Sequence, residues 1–186
     1  SGKDFFIFVG SLHKRKNINN LLVSFEMYKK QKGNYKLVIV GEKKWLNAKT
    51  KTIYNKMSFK EDVIFLGRIN DMELPLILGA AQALCFISLF EGFGLPIIEA
   101  MSSSIPVITS NKSAMPEIAQ DAAIIIDPHD NSDITNALFL IEKDKKLIEK
   151  LIEKGDQRVK FFNWDVSAKQ ISNLLKAICK NGGNTL

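Results

Sequence analysis

Two glutamates, Glu91 and Glu99, stand on either side of a Gly-Phe-Gly-Leu-Pro segment. The glycines of this segment, Gly92 and Gly94, permit backbone conformations closed to other residues and let the main chain approach a ligand closely. Pro96 is suited to the first position of a helix, and the free amides at a helix N-terminus bind anions. Carboxylates beside an anion site can accept hydrogen bonds from hydroxyl groups. The pattern therefore predicts a ligand that carries hydroxyls next to phosphate, as a nucleotide-sugar does.

A buried strand and a helix must position this segment. Residues 83–87 form a short, continuous apolar run, which is typical of a parallel strand covered on both faces. Residues 97–101 continue a helix with an apolar side, and the amides of Gly94 and Leu95 lie at its N-terminus. Because Glu91 stands at the strand exit and Glu99 one turn into the helix, both are expected to face the same crevice.

Two cations near the start of the chain form a second group. A continuous apolar strand, residues 5–9, ends at Gly10, and Asn17 is a good N-cap for the helix that follows. Ligands of doubly wound folds bind beyond the carboxyl ends of the strands, so Arg15 and Lys16 are expected at the ligand edge. Cations in that place stabilise the charge of a departing nucleoside diphosphate. The alternative is a solvated charge run before a helix.

The stretch from Ser88 to Met101, with its Glu-x7-Glu spacing, resembles the signature of the retaining, GT-B-fold glycosyltransferases of group 1, which use nucleotide-sugars. The resemblance implies that Glu91 holds hydroxyls of the donor sugar and that Glu99 holds those of the ribose. It also implies contacts to the sugar and the diphosphate from four backbone positions: Gly92, Phe93, Gly94 and Leu95. The alternative is an ordinary strand–turn–helix unit with surface glutamates.

The basic loop resembles the family pattern with one departure. Lys16 stands where the family has a lysine, and Gly10 is counted with the ligand-binding residues. The family commonly has an arginine directly after this glycine, but the position is occupied by Ser11. Arg15 is expected to take the place of that arginine.

Two further loops carry weaker resemblance. Arg68 and Ile69 follow a third strand, and in the family this loop lies near the nucleotide base, mostly through its backbone. After the second strand, which ends at Gly41, the family often has another glycine. Residues 42–45 are Glu-Lys-Lys-Trp instead, so the resemblance does not predict whether this loop makes the contact that it makes in the family.

The composition is that of one globular domain, with 186 residues, 46% of them hydrophobic and 25% charged. No apolar run approaches the roughly 20 residues that cross a bilayer. Cys85 and Cys179 give neither a disulfide framework nor the spacing of metal ligands, which favours the cytoplasm. The net charge of +6 suits phosphorylated ligands or an anionic membrane surface, and it is too dispersed to indicate nucleic acid.

Alternating strands and helices predict an α/β fold, namely a Rossmann-like three-layer sandwich with a parallel sheet. Four strands are expected in addition to the two described above, at residues 36–41, 63–67, 106–109 and 123–128. Helices are expected at residues 18–28, 45–58, from 72 with Asp71 as its cap, 131–160 and 166–180. The last helix is expected to end at Gly182-Gly183 and to turn four residues inward: Ile171, Leu174, Leu175 and Ile178.

The resemblance covers nearly the whole chain and implies that residues 1–186 are one nucleotide-sugar donor-binding domain, the C-terminal half of a GT-B fold. An N-terminal acceptor-binding domain is then absent from this chain, and the fragment alone is expected to be inactive. The implied enzyme moves a hexosyl group from a nucleoside diphosphate-sugar to a saccharide or lipid-linked acceptor, as in polysaccharide biosynthesis. It uses neither a cofactor nor a metal, and it contacts the inner face of the membrane peripherally.

Two alternatives differ in class from this hypothesis. One is a regulatory module that binds nucleotide-sugars without catalysing transfer. The other, a dinucleotide-dependent dehydrogenase, is disfavoured because no Gly-x-Gly-x-x-Gly turn follows the first strand. The sequence names neither the sugar nor the base; the Arg15-Lys16-Asn17 loop resembles that of mannosyltransferases and makes GDP-mannose one candidate donor.

Overall fold

A parallel six-stranded sheet forms the centre of the protein, whose computed structural model describes residues 4–42 and 47–181. The strands are β1 (Phe5–Val9), β2 (Lys36–Val40), β3 (Val63–Gly67), β4 (Ala83–Phe86), β5 (Val107–Ser110) and β6 (Ile124–Ile126). Their order across the sheet is β3-β2-β1-β4-β5-β6, and each neighbouring pair is parallel. The six strands predicted from the sequence are confirmed, with small differences at their ends.

Helices cover both faces of this sheet. They are α1 (Ile18–Lys30), α2 (Ala48–Lys56), α3 (Leu74–Gly79), α4 (Leu95–Ser102), α5 (Met115–Ala119), α6 (Asn131–Lys143), α7 (Lys145–Val159) and α8 (Trp164–Asn181). The first strand shows how the core is divided, because successive side chains of a strand point to opposite faces. Phe6 and Phe8 join an apolar cluster with α1 and α6, whereas Ile7 and Val9 join a second cluster with α3, α4 and α5. The predicted three-layer α/β sandwich is confirmed.

The strand order brings two distant loops together. The chain runs from β1 outward to β3 and then returns to place β4 on the other side of β1, with Phe6 opposite Ala83 and Ile7 opposite Leu84. Ligands of open α/β sheets bind at such a reversal, in the crevice beyond the carboxyl ends of the strands. The loop after β1 therefore lies beside the loop after β4.

Three details of the helices differ from the prediction. Asn70, not Asp71, caps the segment before α3, because its side-chain oxygen accepts hydrogen bonds from the amides of Met72 and Glu73 at 3.0 and 2.9 Å. The predicted helix over residues 131–160 is two helices. They meet at Asp144, whose side chain accepts the amide of Leu147 at 3.0 Å and so caps α7. Within the predicted helix at 45–58, residues 45 and 46 lie outside the described residues, as do 43 and 44 of the preceding loop.

The prediction that the last helix turns an apolar face inward is wrong. The four residues of α8 that were predicted to face inward are 57–62% exposed, namely Ile171, Leu174, Leu175 and Ile178. Their spacing does produce an apolar stripe, but no described element packs against that stripe. The predicted Gly182-Gly183 end of the helix lies outside the described residues. No helix in the part of the chain that the structure describes is long and apolar enough to cross a membrane.

Candidate functional site

Glu91 lies between two cations at the reversal point of the sheet. Its Oε1 is 2.6 Å from Lys16 Nζ, and its Oε2 is 2.7 Å from Arg15 Nη1. The side chains of Glu91 and Lys16 are only 9% and 8% exposed, whereas that of Arg15 is 48% exposed. The structure thus joins the three predicted catalytic residues, although Glu91 is some 75 positions from Arg15 and Lys16 in the chain.

Backbone contacts hold the loops of these residues against each other. The amide of Leu89 donates to the carbonyl of Arg15 at 2.7 Å, and Arg15 Nη1 donates to the carbonyl of Phe90 at 3.1 Å. Both contacts fix the position of the basic loop relative to the residue directly before Glu91. The ion pairs therefore belong to a preorganised pair of loops.

Asn17 occupies the predicted N-cap position of α1, but its side chain does not cap the helix. Its backbone is left-handed, with φ 60°, and its side chain makes no cap hydrogen bond to α1. The side-chain nitrogen Nδ2 of Asn17 instead donates to the backbone carbonyls of Ile87 at 3.2 Å and Pro128 at 2.7 Å. One side chain thus connects the carboxyl ends of β1, β4 and β6. The sequence signal was available, because asparagine tolerates the left-handed region and carries an amide donor.

Ser113, in the loop after β5, fixes the backbone of Glu91, a contact that was not predicted from the sequence. Its hydroxyl accepts the amide of Glu91 at 3.2 Å and donates to the carbonyl of Glu91 at 2.5 Å. Ser113 has a left-handed backbone with φ 56°. The available signal was only a polar loop at the carboxyl end of a strand.

Burial and their mutual contact shift the pKa values of Lys16 and Glu91. Burial lowers the pKa of Lys16, and its hydrogen bond to Glu91 only partly opposes this effect. Burial alone would raise the pKa of Glu91, but hydrogen bonds from Lys16 and Arg15 outweigh it and hold that pKa below its ordinary value. Lys16 Nζ also lies 4.6 Å from the centre of the Phe86 ring, a cation–π contact.

Two glycines around the site are required by its geometry. Gly10 has a φ of 146°, and a Cβ there would lie 3.4 Å from the Cε of Lys16. Gly94 has a φ of 110° and directly precedes α4, in which Pro96 is the second residue and not the first as predicted. Gly92 lies outside the left-handed region and has open space around it, so the free protein does not require a glycine there.

Glu99 is on the second turn of α4, apart from the Glu91 cluster. It is exposed, but partial desolvation by its surroundings raises its pKa, and the charge of Asp71 adds to the effect. This coupling places Glu99 towards the loop between β3 and α3. The same loop carries the exposed Arg68 and the half-buried Ile69, which packs on the α3–α4 side of the core. The contacts of Glu99, Arg68 and Ile69 with a nucleotide remain predictions.

The side chains of Phe93 and Leu95 point away from the ion pairs. They line an apolar cavity of about 430 Å³ together with Ile98, Phe162 and Trp164. The rings of Phe93 and Phe162 pack edge to face, with their centres 5.6 Å apart. The side chains of Phe93 and Leu95 thus face this cavity, and the contacts that they are predicted to make with a ligand at the start of α4 involve their backbone. Within residues 4–42 and 47–181, no group of three His, Cys, Asp or Glu side chains is arranged to hold a metal ion.

Comparisons with known proteins identify the family. Residues 1–158 match the family described as Glycosyl transferases group 1. O-antigen chain mannosyltransferase B of Escherichia coli is 30% identical over 173 residues, which cover 92% of this chain and 45% of that protein. The chain thus spans about half the length of this curated relative.

Solved structures agree with this relationship. The C-terminal domain of a glycosyl transferase group 1 family protein from Francisella tularensis superposes with a TM-score of 0.75 at 28% identity, covering 87% of this chain and 86% of that one. An Anabaena protein in complex with UDP and glucose shares the fold, with a TM-score of 0.81 and 18% identity over 93% of this chain and 48% of its own. This chain belongs to the glycosyl transferases group 1 family.

Proposed function

We propose that this chain is the donor-binding domain of a retaining glycosyltransferase and that it binds a nucleoside diphosphate-sugar. The observation that supports this most is the Glu91 carboxylate between Arg15 and Lys16, at the reversal point of the sheet. A site that combines fixed cations with a carboxylate suits a ligand that combines phosphate with hydroxyls. The start of α4, which has free amides, adjoins the same loop.

Each group has a role in this proposal. Lys16 and Arg15 bind the diphosphate and stabilise the negative charge on its oxygen as the bond to the sugar carbon breaks. Glu91 accepts hydrogen bonds from sugar hydroxyls, and Glu99 accepts them from the ribose. The loop of Arg68 and Ile69 lies against the base. The acceptor hydroxyl forms the new bond to the sugar carbon and passes its proton to the departing diphosphate oxygen, and no metal takes part.

The donor proposed first is GDP-mannose. The relatives include mannosyltransferases for O-antigen chains, which supports a hexose of this type and a role in polysaccharide biosynthesis. Since the Anabaena protein of the same fold binds UDP and glucose, a uridine donor is the second candidate. The acceptor domain is proposed to lie in another part of the full-length protein, because the relatives are about twice as long as their match to this chain.

A titration panel tests the proposal. Calorimetry with UDP-, GDP- and ADP-sugars should give saturable binding of at least one donor. Lys16→Ala should reduce the affinity for that donor more than Lys146→Ala does. Lys146 is an exposed lysine of α7 and controls for the change in net charge. If no nucleotide-sugar binds, or if both variants lose the same affinity, the proposed site is wrong.

A further inference from the structure

The anion site of the protein is already filled by one of its own side chains. Both cations assigned to the diphosphate contact the carboxylate of Glu91, one through each oxygen, at 2.6 and 2.7 Å. Lys16 is 92% buried at its side chain, so a phosphate cannot reach Nζ without changing this arrangement. A ligand that binds Lys16 must first take the place of Glu91.

The backbone around Glu91 restricts how that exchange can happen. Ser113 holds both the amide and the carbonyl of Glu91, and Arg15 Nη1 holds the carbonyl of Phe90. The loop is therefore fixed at its backbone on both sides of the carboxylate. Rotation of the Glu91 side chain is the movement that separates the pair and leaves these backbone contacts intact.

The energy of the displaced carboxylate then depends on the ligand. Glu91 is 8% exposed, and a buried charge that loses its partners is costly unless new hydrogen bonds replace them. A nucleoside diphosphate, or pyrophosphate, supplies negative charge to Arg15 and Lys16 but lacks the sugar hydroxyls that could donate to the displaced carboxylate at that place. A sugar attached to the diphosphate offers hydroxyl donors at that place.

We propose that Glu91 acts as an internal competitor for the cations of the site and so selects the intact sugar donor over the bare nucleoside diphosphate. This inference rests on the proposed function and adds a property to it. The charge of Glu91 weakens binding of every diphosphate, and only a sugar-bearing ligand recovers the loss through its hydroxyls. The released nucleoside diphosphate, having lost its sugar, is then displaced when Glu91 returns to Arg15 and Lys16.

Removing the charge of Glu91 tests this competition. We compare the parent chain with Glu91→Gln, which keeps the side-chain length, using calorimetry with GDP, UDP, pyrophosphate, GDP-mannose and UDP-glucose. Glu91→Gln should bind the bare nucleoside diphosphate at least about tenfold more tightly, which corresponds to about 1.4 kcal/mol. It should bind the sugar donor no more tightly than the parent does. Glu61→Gln, an exposed glutamate before β3, repeats the change in net charge away from the carboxyl ends of the strands.

A second variant keeps the test informative if Glu91→Gln does not fold. Glu91→Asp retains the charge but withdraws the carboxylate from Arg15 and Lys16 by one methylene group, so it should give a smaller gain for the bare nucleoside diphosphate. Circular dichroism reports on folding for each variant.

The possible results separate this inference from the proposed function. If the parent binds a nucleotide-sugar and both Glu91 variants bind the bare nucleoside diphosphate no better than the parent, the internal competition is refuted and the donor site is retained. If neither the parent nor any variant binds a nucleotide, both are refuted. An equal gain in Glu61→Gln would show that net charge alone is responsible, which also overturns the inference.

Discussion

Replacing Lys16 by alanine should affect both the stability and the ligand affinity of the protein. Lys16 is 7% exposed and its ammonium is 2.6 Å from Glu91, so the variant leaves a buried carboxylate with one partner fewer. Breaking a buried pair costs about 3–5 kcal/mol when the remaining charge is left unpaired. Arg15 still contacts the other oxygen of Glu91 at 2.7 Å, so we expect a cost of about 2–3 kcal/mol, at or below the lower end of that range.

The same change removes a cation that is proposed to bind the diphosphate. A hydrogen bond to a charged group contributes about 1.5–3 kcal/mol, so nucleoside diphosphate affinity should fall by roughly 10- to 150-fold. Arg15→Ala should cost less, because solvent reaches about half of the Arg15 side chain and screens its charge.

A double-mutant cycle separates the ion pair from the rest of the Lys16 contacts. Free energies of unfolding from urea titrations, followed by circular dichroism, are measured for the parent, Lys16→Ala, Glu91→Gln and the double variant. We expect a coupling energy of about 1–3 kcal/mol, and Lys146→Ala should change stability by less than about 0.5 kcal/mol. Additive effects at Lys16 and Glu91, together with undiminished nucleotide affinity, would refute the assignment of Lys16 as a buried cation of the binding site.

The remaining predictions concern the start of α4 and the residues that follow it. Glu99→Gln should weaken nucleoside diphosphate binding without loss of fold. Removing the 2′-hydroxyl of the nucleotide should reduce affinity much less for this variant than for the parent, because the variant has already lost the partner of that hydroxyl. If calorimetry shows that the two losses of affinity are additive, the ribose contact is not supported. Because partial desolvation and the charge of Asp71 raise the pKa of Glu99, its carboxylate ionises only as the pH rises through that raised pKa. Affinity should therefore increase with pH over that range, and Glu99→Gln, titrated in parallel, should lack this part of the pH dependence. Gly94→Ala should destabilise the chain by about 1–2 kcal/mol in urea unfolding, since alanine is strained at a φ of 110° and its Cβ would lie 3.2 Å from Ile97 Cδ1. An unchanged midpoint would show that this turn relaxes freely.

The strands could be predicted from the sequence because each is a short apolar run. A parallel strand covered on both faces needs apolar residues at every position, and residues 5–9 and 83–86 have them. The loops of the site could be located in the same way, since Arg15, Lys16 and Glu91 lie in the loops that follow these two strands. Their contacts could not be predicted, because the approach of Glu91 to Lys16 depends on β4 lying next to β1, which no local pattern encodes.

Two other predictions differ from the structure for identifiable physical reasons. The apolar stripe of α8 predicts that this face is covered, but periodicity does not say by which element, and no described part of the chain covers it. Asn17 satisfies the composition rule for a helix cap, but its amide has better partners in the carbonyls of Ile87 and Pro128. Those partners come from 70 and 111 positions away, beyond the reach of a local capping rule.

The last prediction is that this chain binds the donor but does not transfer the sugar efficiently. The cations, the carboxylates and the start of α4 all lie at the carboxyl ends of the strands, so a donor bound there would be held from one side. Transfer also requires an acceptor hydroxyl held against the sugar carbon, and such positioning contributes on the order of 7–11 kcal/mol to lowering the barrier. The donor residues of this site do not supply that contribution. Incubation of the chain with donor and a simple saccharide acceptor should therefore give at most slow hydrolysis of the donor, measured by release of the nucleoside diphosphate. Addition of the remaining half of a full-length relative should be needed for transfer, and efficient transfer by the 186 residues alone would contradict this view.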